Sequence, residues 1–195
     1  PHRASQALGL LGVLLVAVAL VVWAHAIQIR SQYARATSEV LARVEALIPT
    51  VTPGASAPLM GEAEGVLMPS VSIDGVSYCG ILRLSFAGSG LPVRSVNAGG
   101  AIEVAPYCFD GTPTSRMVII GWDGDSQFGP LSRAGVDDAI VFVDVDGMSY
   151  SYHVNSLILQ DGFDVSDASM KNADLVLCTY DSASNRYLVL LASRD

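Results

Sequence analysis

From Ala7 to Ile27 the chain carries no Asp, Glu, Lys or Arg. At 1.5 Å per residue that run reaches about 30 Å, the thickness of a hydrocarbon core. It predicts a transmembrane helix over 1–27. Ala24-His25-Ala26 has the small-x-small look of a signal-peptide cleavage site, but the run is long for an h-region of roughly 7–15 residues, so an uncleaved signal anchor is the better reading. The apolar positions then change period. Ile29, Tyr33, Ala36, Val40, Val44 and Leu47 recur at spacings of three and four, which predicts an amphipathic helix over 28–48, a stalk or a helix packed on the domain that follows. Pro49, Pro53, Gly54 and Pro58 end it and mark a linker over 49–65.

Beyond residue 65 the period shortens to that of strands. Ile140 to Val145 and Tyr150 to Val154 flank Asp146-Gly147, and a second Asp-Gly pair stands at Asp74-Gly75; this dipeptide suits the positive φ angles of tight turns. Further strands are predicted over Ser77 to Leu84, Leu91 to Val93, Ala101 to Val104, Met117 to Gly121, Asn155 to Leu159, Ala173 to Cys178 and Tyr187 to Ala192. So many short strands without long intervening helices predict a closed or sandwiched all-β domain over 66–195.

Charge adds one exclusion. The formal net charge is −8. Arg3, Arg30, Arg35 and Arg43 offset Glu39, Glu45, Glu62 and Glu64, so the whole excess lies beyond residue 65. Such a domain repels a phosphate backbone, and no nucleic-acid partner is expected. Arginines on both sides of the apolar run leave its orientation open. The chain has three cysteines, an odd count that leaves at least one thiol unpaired within it. Cys79 and Cys108 could be bridged, but read better as two small buried hydrophobes. The acidic group Asp137, Asp138, Asp144 and Asp146 lacks the full spacing of a calcium loop, and neither a metal nor a cofactor is expected.

The remaining cysteine carries the candidate chemistry. Cys178 ends the apolar strand Asp174-Leu175-Val176-Leu177-Cys178 and is followed by Thr179-Tyr180-Asp181, with Arg186 opening the next strand. A thiol followed by an arginine suggests a nucleophile and an anion stabiliser. With these residues go Ile73-Asp74-Gly75-Val76-Ser77-Tyr78-Cys79-Gly80-Ile81-Leu82, Leu91-Pro92-Val93, Ala105-Pro106-Tyr107, Phe128-Gly129-Pro130-Leu131 and Val143-Asp144-Val145-Asp146-Gly147. In order and spacing these segments resemble the sortases, membrane-anchored cysteine transpeptidases of Gram-positive surfaces, with a flavour nearest to class B.

The resemblance implies a sortase-like β-barrel, held by a single-pass anchor on the extracellular face of the cell membrane. Its partners would be a surface protein or peptide bearing a sorting signal, and an amine acceptor on the cell wall or a pilin. Cys178 would attack a peptide carbonyl, Arg186 would steady the oxyanion or the bound peptide, and Leu177, Thr179 and Asp123 would contact substrate. Two positions depart from the pattern. Leu177 replaces the hydroxyl residue that precedes the family's cysteine, and Trp122, in Gly121-Trp122-Asp123, takes the place of its histidine. An indole N–H donates but does not titrate usefully. His153 belongs to a polar strand face, His25 to the apolar run and His2 to the extreme terminus, so none replaces it. Two functions follow: a weakly active transpeptidase, with Asp123 or Asp125 as a substitute base, or a catalytically degenerate domain that binds a peptide or protein partner without cutting it.

Overall fold

The computed structural model describes residues 2–49, 68–96, 98–167 and 170–195, with side chains from residue 14 onward. Most of the linker predicted over 49–65 lies outside the described residues. The two predicted N-terminal helices form one uninterrupted helix, α1 (His2–Leu47). Strands β1 (Val71–Ile73), β2 (Val76–Leu84), β3 (Leu91–Arg94), β4 (Tyr107–Asp110) and β5 (Met117–Ile120) follow, and then a short 3-10 helix (Gly129–Arg133). β6 (Ala139–Asp144), β7 (Ser149–Gln160), β8 (Leu175–Asp181) and β9 (Arg186–Arg194) complete the chain.

Eight strands run in the order β2-β3-β4-β5-β8-β9-β7-β6, and β6 pairs back onto β2 to close a barrel. β1 adds a short arm to the first residues of β2. The neighbours are antiparallel except β3 with β4 and β5 with β8. Strand alternation then sorts the side chains. Leu82, Ile119, Phe142, Leu177 and Leu190 fill the barrel. Their strand neighbours Val118, Val176, Cys178, Val189 and Leu191 face outward and are covered by Phe163, Val165, Met170 and Ala173 from the β7–β8 connection.

The barrel closes tightly at Gly80, where β2 passes between β3 and β6. A Cβ at Gly80 would overlap the Val143 carbonyl oxygen and approach Phe142 Cζ to 2.6 Å. Backbone in a closed ladder cannot yield as a side chain would. Gly80→Ala is therefore expected to cost about 3 kcal/mol of stability, read as a lower urea midpoint; an unchanged midpoint would show that the closure is loose.

Asp74 and Gly75 form a two-residue turn between Val76 and Ile73, with φ of 51° and 80°, as the Asp-Gly pair predicts. Asp146-Gly147 instead belongs to a four-residue connection. There the Asp144 carboxylate accepts the backbone N–H groups of Asp146 and Met148, so this aspartate serves the turn. The strand predicted over Ala101 to Val104 is a turn: the Val104 N–H bonds to the Ala101 carbonyl, and the Val104 carbonyl accepts the Thr37 hydroxyl of α1 at 2.7 Å. These apolar residues contact a helix and a cavity rather than a neighbouring strand. Asn155 to Leu159 is the second half of β7 and not a separate strand.

The second half of α1 packs on the barrel. Val44 is fully buried with Ile73, Tyr78, Ile81 and Ala105, and Val40 and Leu41 lie against the same group. The predicted apolar face thus docks through Tyr33, Val40 and Val44, while Ile29 and Leu47 stay exposed. The first half is uncovered: Leu14 to Val22, Trp23 and Ile27 project apolar side chains from the barrel. α1 is long and apolar enough to cross a membrane.

Candidate active site

The parallel pairing of β5 with β8 builds the site. Ile120 lies opposite Cys178, and the Gly121 N–H bonds to the Cys178 carbonyl at 3.0 Å. β5 ends at this pair while β8 runs on to Asp181, so Trp122 and Asp123 leave β5 at the same barrel edge as Cys178 and Thr179. These four residues line a cavity of about 340 Å³. Its aromatic walls come from Phe163, Tyr180 and Tyr187, with Tyr180 and Tyr187 edge to face at 5.3 Å. Arg30 of α1 completes it, so the helix next to the apolar run is also a wall of the cleft.

Trp122 is held from three sides. Its backbone N–H donates to the Gln127 side chain at 3.3 Å, while the Gln127 amide donates to the Ile102 carbonyl at 2.7 Å. The indole lies directly over Gly124, where any Cβ would collide with the ring. From above, Tyr33 of α1 meets it edge to face at 5.6 Å. Such an aromatic pair contributes about 0.5–1.5 kcal/mol beyond its area burial.

The thiol is only 1% exposed. Burial pushes its pKa up to about 12. At that value about one thiol in 10⁵ is ionised at pH 7. Burial also raises the Asp123 carboxyl above the ordinary carboxylate range, the Ser182 backbone N–H opposes this, and the negative charges of Asp181 and Asp125 add to it. The Thr179 hydroxyl, on the face of β8 opposite the thiol, is buried with no hydrogen-bond partner among the described residues. A buried hydroxyl of this kind costs free energy unless a ligand or water satisfies it.

Two of the predicted site residues lie elsewhere. Leu177 is fully buried in the barrel core, its side chain on the opposite face of β8 from the thiol. Arg186 does not line the cavity; its Nε donates to Asp161 at 2.8 Å and its Nη2 to the Leu159 carbonyl at 3.0 Å. Alternation explains this, since Cys178 lies opposite Val189 and the side chains that share its face belong to Val189 and Tyr187. Tyr187 was thus accessible from the sequence once β8 and β9 were paired around Asp181 and Arg186. Arg30, Tyr33 and Phe163 were not, because only the folded chain brings them to β8. His153 is on the surface, its Nδ1 2.9 Å from Asp195. Cys79, Cys108 and Cys178 are all free thiols.

No family model matches the sequence, and no curated protein matches it. Solved structures do. Sortase C1 from Streptococcus agalactiae superposes with a TM-score of 0.54 and 18% identity, over 64% of this chain and 70% of that one. The fold is that of the sortases. Sortase A from Corynebacterium diphtheriae matches at 0.53 and 16% identity over 85% of this chain and 84% of its own. Listeria monocytogenes sortase A gives 0.51 and 20% over 63% and 88%. These identities speak to the sortase fold alone, and they do so for a barrel closed by eight strands with a long apolar helix before it.

Proposed function

We propose that this chain is a membrane-anchored sortase-type cysteine transpeptidase of the cell surface that works slowly, because Trp122 occupies the position of the family's histidine. The observation that carries the reading is the shared edge of β5 and β8, where a thiol and a carboxyl of raised pKa line one aromatic cleft. That cleft suits an extended sorting-signal peptide. The class B-like flavour rests on the sequence segments.

In the proposed cycle the Cys178 proton passes to the Asp123 carboxylate as sulfur attacks the peptide carbonyl. The C–N bond then breaks, and Asp123 returns the proton to the leaving amine, giving a thioester acyl-enzyme. An acceptor amine from the cell wall or a pilin attacks the thioester, and its proton returns through Asp123 to the departing sulfur. Thr179, which lines the cleft, contacts the bound peptide. Arg186 opens β9 on the face opposite the thiol, and it reaches the bound peptide over the strand end by leaving both Asp161, whose side chain is 91% exposed, and the Leu159 carbonyl. An exposed ion pair contributes only about 0–1 kcal/mol, so the exchange costs little. The apolar half of α1 is the single-pass anchor, with the barrel on the extracellular side.

One observation favours the second reading, a degenerate domain that binds a peptide or protein partner without cutting it: Arg186 is turned to Asp161 and the Leu159 carbonyl, away from the thiol. Mass spectrometry separates the two. The full chain in detergent is incubated with a library of sorting-signal-like peptides and an amine. A thioester adduct on Cys178 and an amide product, both absent in Cys178→Ala, are the expected result. Peptide binding that Cys178→Ala leaves intact, with no adduct over days, would establish the binding-only function.

A further inference from the structure

Beside the thiol cleft lies a larger cavity of about 450 Å³, lined by Arg94, Val96, Ala98, Ile102, Tyr107 and Phe109 among others. Ile102 lines both cavities, and the Phe109 ring meets Phe163, a wall of the thiol cleft, at 6.4 Å. The two cavities are therefore neighbours on one face of the barrel.

Arg94 ends β3 and is only 4% exposed. Its Nε donates to the Ala105 carbonyl at 3.0 Å, and its Nη1 donates to the Gly99 and Gly100 carbonyls at 3.0 and 2.6 Å. The guanidinium carbon stands 5.5 Å from the Tyr107 ring centroid. All of these partners are neutral dipoles or a ring face. Among the described residues no carboxylate forms an ion pair with Arg94; Glu103 acts on it only through space. Nη2 has no hydrogen-bond partner there, yet it is not among the sealed polar atoms. A buried charge normally has a charged partner, because desolvation without one is costly. Here three bonds fix the orientation of the fork and leave one terminal nitrogen free at a cavity wall.

We propose that this cavity is a carboxylate-binding site, with Arg94 as the anion receptor and Val96, Ile102 and Phe109 as the seat for an apolar group next to the carboxylate. The ligand class is a short peptide C-terminus or an N-acylated amino acid. A single guanidinium inside an acidic domain suits a monoanion. A phosphate dianion would bring a second negative charge into a field already set by a net charge of −8. The site does not depend on the chemistry of Cys178, so it is tested in Cys178→Ala protein, where failure of the transpeptidase reading has no influence.

The probes are N-acetyl-leucine, its amide, and inorganic phosphate, each titrated into the full chain in detergent and followed by NMR line shifts. Saturable binding of the acid is expected, at least about tenfold tighter than the amide, since a charge-assisted hydrogen bond is roughly twice as strong as a neutral one. Arg94→Met should abolish the preference. Because Arg94 also ties the 99–105 segment to β3, Ala98→Glu serves as a second variant: it supplies a tethered carboxylate at the wall and should block the acid while leaving the melting curve of the barrel intact. Equal binding of acid and amide would overturn the proposal, as would no saturation by 50 mM or an unchanged preference in a folded Ala98→Glu protein. Phosphate binding tighter than the acid would overturn the carboxylate assignment in favour of a phosphate site.

Discussion

Trp122→His is expected to raise Cys178-dependent peptide cleavage by about 10²- to 10⁴-fold, the usual contribution of a positioned acid/base group. Imidazole titrates near pH 6.5, so at pH 7 it can both take the thiol proton and return one to the leaving amine. The indole it replaces can only donate a hydrogen bond. The new ring should arrive in the right place because the backbone, not the indole, is anchored: the Trp122 N–H is held by Gln127, and Gly121 is bonded to the Cys178 carbonyl. Trp122→Phe is the control. It also weakens the contact with Tyr33, but it supplies no titrating group, so its rate should stay near that of the parent. A comparable gain from phenylalanine would mean that release of α1, not proton transfer, had limited the reaction. No gain from histidine would remove proton transfer as the explanation of slow turnover.

Local chemistry made parts of this fold legible in the sequence. The Asp74-Gly75 turn, the β6–β7 hairpin and the apolar strands ending at Cys178 and beginning near Arg186 all follow from residues close together in the chain. The site needed more. Its central relation is the parallel register of Ile120 with Cys178, which no hairpin turn encodes because the partners are separated by β6 and β7. Ala101 to Val104 reads as a strand because the apolar content of a short run does not reveal what covers it; its neighbours are α1 and the Arg94 cavity. The amphipathic face of α1 was readable, but its target was not. Tyr33 meets Trp122 because docking of Val40 and Val44 fixes the helix along the barrel edge. The displacement of Arg186 from the cleft is a matter of parity: eight residues from Cys178 in sequence, it falls on the other face of β9 once Asp181 pairs with it.

The Cys178 thiol should react with a disulfide reagent at pH 7 about 10²-fold more slowly than an unstructured thiol, even before access is considered. Two effects compete. A free thiol of pKa about 8.5 is a few per cent ionised at pH 7, whereas burial pushes Cys178 to about 12, which lowers its thiolate fraction by about 3.5 powers of ten. The more basic thiolate is intrinsically more nucleophilic, with a Brønsted slope of about 0.4–0.5, and this returns about 1.5 powers of ten. Ionisation wins, so the rate should climb about tenfold per pH unit through pH 7–10 without levelling near pH 8.5. Mass spectrometry of the labelled peptide distinguishes Cys178 from Cys79 and Cys108, which are also buried and whose pKa values burial also raises. Tyr33→Ala should speed Cys178 labelling, since Tyr33 braces the Trp122 wall of the cleft, and should leave Cys79 unchanged inside the barrel. A plateau below pH 9 would overturn the picture of an isolated thiol and would point to a cation at the sulfur. If Arg186→Ala then restored the steep pH dependence, Arg186 would be that cation, and its bond to Asp161 would be only one of its positions.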